Sequence, residues 1–316
     1  MLKRIFPFLT WISHYDRSTW YGDLVAGFTV GVLLIPQGMA YAMIAGMPPI
    51  YGLYAALVPQ LVYALTGTSR QLAVGPVASE QDYIAAVLFL TLLIGLFQLL
   101  MGILKMGFFV NFLSKPVISG FTSAAAILIG LGQLKHILGV DLPQSGKIYV
   151  LLGSIFGHLA DIQPLTLGIG ILVILMIIGL KKLNKKLPVP LLVVVLGIAS
   201  VALLGLEAKG IKIVGEIPKG LPSFQLPGIQ WDHMGQFLPI AITVALFGFM
   251  ESISIAKTVE ERHPEYELDP NQELRALGLS NIFGSFFQSF SVSGSFSRTA
   301  INDHSGARTG MALVFS

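Results

Sequence analysis

The stretch SFFQSFSVSGSFSRTAIND, residues 285–303, sets a fixed positive charge, Arg298, in a run of small hydroxylated residues that follows an apolar segment. The surrounding chain is 54% hydrophobic and only 12% charged, against about 25% charged in ordinary soluble domains. Its charges stand in short clusters between apolar runs of about 20 residues, long enough to cross ~30 Å of hydrocarbon. The composition implies an all-α polytopic membrane protein. An arginine at membrane depth then needs a partner or a cavity to face.

Other function classes drop out early. A net charge of +3 leaves no footprint for nucleic acid, and the lysines read as topology signals in the lipid bilayer. With no cysteine, no disulfide, thiolate metal site or thiol nucleophile can form. The six histidines lack metal-ligand spacing and no GxxxxGK loop occurs, so no metal, cofactor or ATP-driven pump is expected. Asp303, His304 and Ser305 are adjacent in sequence, which does not make a catalytic triad, and no enzyme is expected.

Outward from 285–303, apolar segments are predicted at 24–46, 50–67, 83–110, 116–139, 165–180, 188–206, 235–257 and 274–290, with a ninth beginning near Arg308. Residues 1–21 read as a cytoplasmic, interface-lying lead-in with Trp11, Trp20 and Tyr21 at headgroup level. Residues 207–234 are too polar and proline-rich to span and read as an extracytoplasmic loop with short strands. Counting one crossing per segment from a cytoplasmic Lys3 and Arg4 puts Lys105, Lys115 and the run Lys181–Lys186 outside, against the positive-inside tendency. One further crossing between residues 67 and 83 repairs both loops. The sequence there, TGTSRQLAVGPVASEQD (66–82), starts like a strand feeding a helix and stops abruptly, so a helix is expected to be missing after Ala78.

Internal similarity points the same way. FTVGVLLIPQGMAYA (28–42) aligns without gaps on ITVALFGFMESISIA (242–256), setting Gln37 opposite Glu251, and AVGPVAS (73–79) matches SVSGSFS (291–297). With the extra crossing the first half has an odd number of spans, so the halves read as inverted repeats, 22–206 and the start of a second at 235–316. Inverted repeats with interrupted helices near the midplane are a transporter signature.

The residues then resemble a known family. Residues 22–78, KPVISGFTSAAAILIGLGQLKHILG (115–139), FGFMESISIAK (247–257) and NIFGSFFQSFSVSGSFSRTAIN (281–302) are similar to the SulP/SLC26 anion transporters over essentially the whole chain. The resemblance implies fourteen transmembrane segments in a 7+7 inverted-repeat fold, with core and gate domains, two half-helices and short midplane strands. It implies alternating-access transport of sulfate, bicarbonate, chloride or dicarboxylate, by exchange or ion-coupled symport, with channel-like conduction or a non-transporting fragment as alternatives. A homodimer, a following STAS domain and a plasma-membrane location (inner membrane in a bacterium) with a cytoplasmic N-terminus are further implications. The matching substrate positions are Gln37, Tyr41, Val77, Ala78, Ser295, Phe296, Ser297 and Arg298.

Chemistry supports these residues, with alternatives standing beside each. Arg298 offers positive potential at a helix start, where free N–H groups also attract an anion; an ion pair with Glu251 or snorkelling to water are the other readings. Ser293, Ser295 and Ser297 can replace an anion's water shell and Gly294 allows close approach, or these small residues serve helix packing. Gln37 and Tyr41 share one helical face beside Pro36, which is expected to interrupt the helix, and line the site or pack between helices. Glu251 exchanges a proton or neutralises Arg298.

Overall fold

A computed structural model describes residues 6–72, 74–76, 82–108, 120, 123, 127, 130, 131, 133–140, 148–183, 189–211, 213, 220–228, 231–263 and 266–316. The chain divides into two units, one formed by Met1–Leu113 with Ile217–Ser316 and the other by Ser114–Glu216. The first therefore draws on both sequence repeats.

In the first unit, helix α1 spans Arg17–Ile44 and α2 spans Pro49–Thr66. Asp16 caps α1 by accepting from the Thr19 N–H, the usual role of a residue with extended backbone at this position. Pro36 lies inside α1 without ending it, contrary to the interruption expected from sequence. A lone missing N–H is tolerated in a helix whose neighbours support it. Strand β1 (Val74–Pro76) leads to α3 (Asp82–Ile103). The second stretch of this unit supplies α7 (Met234–Glu260), α8 (Pro270–Phe286), strand β2 (Val292–Gly294), α9 (Phe296–His304) and α10 (Met311–Phe315). The other unit holds α4 (Ile148–Gly157), which the apolar segments did not include, with α5 (Pro164–Leu183) and α6 (Val189–Leu204) packed on each other.

Helices α1, α2, α3 and α7 are each long and apolar enough to cross a membrane. Helix α8 is different, because its buried face carries Gln272, Glu273, Ser280, Asn281 and Ser285. It survives at the centre of the unit because the largest of those groups are met from neighbouring elements. Gln272 donates to Thr66 O, Arg275 Nε to Gly102 O, and Glu273 accepts from Tyr63 Oη, Thr68 N, Thr68 Oγ1 and Ser69 N. A buried carboxylate with that many donors replaces most of its lost hydration. Close packing supports the same contact: a Cβ on Gly278 would sit 2.5 Å from Leu99 N, and one on Gly95 would sit 2.7 Å from Ile282 N.

These contacts also place the charges. Gly107 N donates to Asn271 Oδ1, so the end of α3 meets the start of α8, where Thr68 and Ser69 also bind. Lys105 therefore lies at the end of this unit that holds the close of α2. The further crossing expected between residues 67 and 83 falls partly on positions 77–81, outside the described residues; β1 is the element described between α2 and α3. Three expectations change. Trp11 is buried against Phe8 and Tyr15 instead of standing at an interface, while Trp20 and Tyr21 are exposed. The described residues of 207–234 contain 3-10 turns at Glu207–Lys209 and Trp231–His233 and no strand. The segment predicted at 274–290 begins at Pro270 and ends at Phe286, four residues before Phe290.

Candidate functional site

β1 and β2 form a two-stranded antiparallel sheet in the register Val74↔Gly294, Gly75↔Ser293, Pro76↔Val292. Residues along an antiparallel strand turn their N–H and C=O groups alternately to the two edges. On the outer edge of β2, Val292 N donates to Asn281 Oδ1, Asn281 Nδ2 donates to Val292 O, and Gly294 N donates to Ser252 Oγ. Ser293 is left to face β1. Pro76, which has no N–H to give, stands opposite Val292, whose own groups are already engaged with α8.

From this strand the chain turns into α9. Ser295 is the N-cap in extended conformation, and its side chain makes no capping bond. Thr299 N is the first to donate within the helix, to Ser295 O. The N–H groups of Phe296, Ser297 and Arg298 thus have no acceptor one turn back, as at any open helix start. The Ser295 and Ser297 hydroxyls lie 3.4 Å apart beside them. Arg298 is only 3% exposed, yet its Nε and Nη1 are buried with no hydrogen-bond partner. Tyr41 of α1 and Glu251 of α7 are near enough to interact with its charge. Gln37 Nε2 reaches Tyr41 Oη at 3.4 Å. An open helix terminus, two hydroxyls and an unpaired buried guanidinium make an environment that favours an anion.

The description "Sulfate permease family" matches residues 21–316. The chain belongs to the sulfate permease family. As a sulfate permease homologue it is 42% identical to sulfate transporter 4.1, chloroplastic, of Arabidopsis thaliana over 338 residues, covering 98% of this chain and 48% of that protein. The solved structure of SLC26A9 superimposes with a TM-score of 0.92 at 26% identity, covering 99% of this chain and 55% of that one. The transmembrane domain of a cyanobacterial bicarbonate transporter, BicA, gives 0.83 at 26% identity, covering 95% and 81%. The all-α transporter fold follows from these matches, and the chain spans about half the length of the curated relatives it matches. The alignment to the Arabidopsis protein runs over 338 residues, although 98% of this chain is about 310 of its 316, so about 28 positions of that relative face no residue here.

Of the residues singled out in the sequence, the permease fold brings Gln37, Tyr41, Glu251, Ser295, Ser297 and Arg298 to one place. Phe296 is 63% exposed at the head of α9. Val77 and Ala78 lie outside the described residues. No ion pair joins Arg298 to Glu251 among the described residues, although the two charges are near enough to interact. Ser293 is a structural residue here, its hydroxyl donating to Gly248 O. Gly294 is needed for packing, since a Cβ there would meet Leu72 Cδ1 at 2.7 Å and Ser252 Cα at 3.0 Å. At the other end of α9, Asp303 meets His263 Nε2 at 2.5 Å and Arg262 Nη1 at 3.4 Å, tying the helix to the end of α7. Sequence reading missed Asn281, Gln98 and Ser252. Nothing local marks them, because their role depends on a strand edge that only the folded chain presents.

Proposed function

We propose that this chain is the anion-handling part of a secondary active transporter that carries small inorganic or carboxylate anions by alternating access. The anion sits at the start of α9, held by the free N–H groups, the Ser295 and Ser297 hydroxyls and the Arg298 guanidinium. Gln37 and Tyr41 form the facing wall, and Val77 and Ala78 complete the site from the β1 side. The observation that carries this reading is Arg298, buried with Nε and Nη1 unpaired. Leaving such donors without an acceptor costs several kcal/mol in a dry site, so an anionic occupant is the natural complement. Glu251, exposed on α7 within range of Arg298, is proposed as the coupling group that exchanges a proton.

The proposed location is the plasma membrane, with the N-terminus cytoplasmic and the full protein a homodimer. Charge supports the orientation. Arg308 bonds Ser18, Arg262 bonds Asp303 and Arg70 stacks 5.1 Å from the centre of Tyr266, so arginines gather where α1 begins and α9 ends. The test is uptake of labelled sulfate into proteoliposomes. Arg298→Ala should weaken apparent affinity about 10- to 100-fold, the worth of one charged hydrogen-bonding partner. Wild-type uptake and binding by that variant would remove the site.

A second reading has its own support. Five positions of the sequence, 77–81, stand between the end of β1 and the start of α3, fewer than the half-helix that the family resemblance implies there. On this reading the chain binds an anion from one side without carrying it, and sulfate binding by calorimetry without uptake distinguishes it from transport.

A further inference from the structure

We propose that Asn281 and Ser252 are positioning residues of the anion site, two side chains from different helices that close the outer edge of β2 and fix the depth at which α9 begins. The inference rests on the reading of Arg298 as the anion's partner. Asn281 is fully buried and its amide engages Val292 in both directions, as a neighbouring strand would. Its Nδ2 also reaches Gln98 Oε1 at 2.9 Å and Leu277 O at 3.1 Å, while Gln98 Nε2 donates to Ala245 O. One amide pair thereby joins α3, α7, α8 and the strand. Two residues further on, Ser252 Oγ accepts from Gly294 N at 2.8 Å and donates to Gly248 O.

A two-stranded ribbon three residues long has little power to hold its own register. A slip of one residue would exchange its faces, moving Ser295, Ser297 and Arg298 together relative to Tyr41 and Glu251. The register is instead read from outside by Asn281 and Ser252. Arg298 follows Gly294 by four residues, so any shift of the strand passes directly to the guanidinium.

The chain contains no cysteine, so a single thiol placed by Ser297→Cys reports the start of α9, and Thr258→Cys on the exposed face of α7 reports a control position. The measurement is the rate of labelling by a water-soluble methanethiosulfonate, with and without sulfate, in the full chain reconstituted in lipid. Asn281→Asp keeps the shape and the acceptor for Val292 N but turns an oxygen toward three other oxygens. Ser252→Ala removes the acceptor for Gly294 N. Each should change labelling at Ser297→Cys about fivefold or more, the effect of one lost buried hydrogen bond, and leave Thr258→Cys unchanged. Ser280→Ala, a buried neighbour on α8 whose hydroxyl has no partner, should alter neither. Unchanged labelling at Ser297→Cys in both edge variants would overturn the proposal, as would an equal change at Thr258→Cys. Failure of sulfate to slow labelling of Ser297→Cys would instead count against the anion reading, and the strand result would stand apart from it.

Discussion

Replacing Glu273 with alanine should loosen the whole first unit, and the size of the effect follows from its partners. The carboxylate is fully buried and accepts from Tyr63 Oη, Thr68 N, Thr68 Oγ1 and Ser69 N. Thr68 is only partly buried, and water replaces its lost acceptor. Ser69 N and Tyr63 Oη are buried, and each orphaned donor costs about 1–3 kcal/mol, so the loss is roughly 2–6 kcal/mol. At about 2–4 °C per kcal/mol the melting midpoint in detergent should fall by roughly 4–24 °C. Glu273→Gln is the informative companion. Its oxygen can stay on the Thr68 and Ser69 side while its NH2 turns to Tyr63, whose hydroxyl also accepts. That variant should lose only the charge-assisted share, about 1–2 kcal/mol. A melting midpoint for Glu273→Ala within 2 °C of wild type, an experimental tolerance set by the assay, would refute the reasoning. So would a glutamine variant as damaged as the alanine one.

Other expectations are as direct. Glu251→Gln should abolish the pH dependence of anion uptake between external pH 5 and 8, and an unchanged profile removes the coupling role. Gly278→Leu should prevent assembly of α3 on α8, because the side chain would meet Leu99 backbone; loss of a monodisperse peak in size-exclusion chromatography checks it. Burial pushes the Tyr266 hydroxyl up to about 12, with the Glu273 and Glu260 charges adding to it. The folded chain therefore keeps that proton to higher pH than the unfolded chain, and its contribution is complete below pH 10 and lost as pH rises toward 12. Melting curves across that window should flatten in Tyr266→Phe.

Much of this was legible in residues whose types are local signals. Arg298 stands out because a charge in so apolar a chain demands an explanation, and the serines before it mark a helix start. The similarity of AVGPVAS and SVSGSFS has its counterpart in the pairing of β1 with β2, and Tyr41 and Glu251 are near enough to Arg298 to interact with its charge. Pro36 misled, because a proline's effect depends on whether neighbouring helices support the freed carbonyl. For Ser293 and Gly294 chemistry left ligand contact and packing both open, and the backbones of Gly248 and Ser252 show what they pack against. Asn281 and Glu273 were unreadable for the same reason, since each answers groups far away in sequence.

That distance bears on how the chain is made. Tyr63 and Glu273 are 210 residues apart in sequence, and Gln71, bonded by Asn302, is separated from it by 231. At synthesis rates of about 5–20 residues per second, the first half waits roughly 10–40 s before its partners emerge. Through that interval the N–H groups of Thr68 and Ser69 and the edge of β1 are without their final acceptors. Membrane insertion of this fold is thus a holding problem as much as a threading one, and something outside the nascent chain (water, lipid headgroups or an insertion factor) must satisfy those groups until Glu273 and β2 arrive.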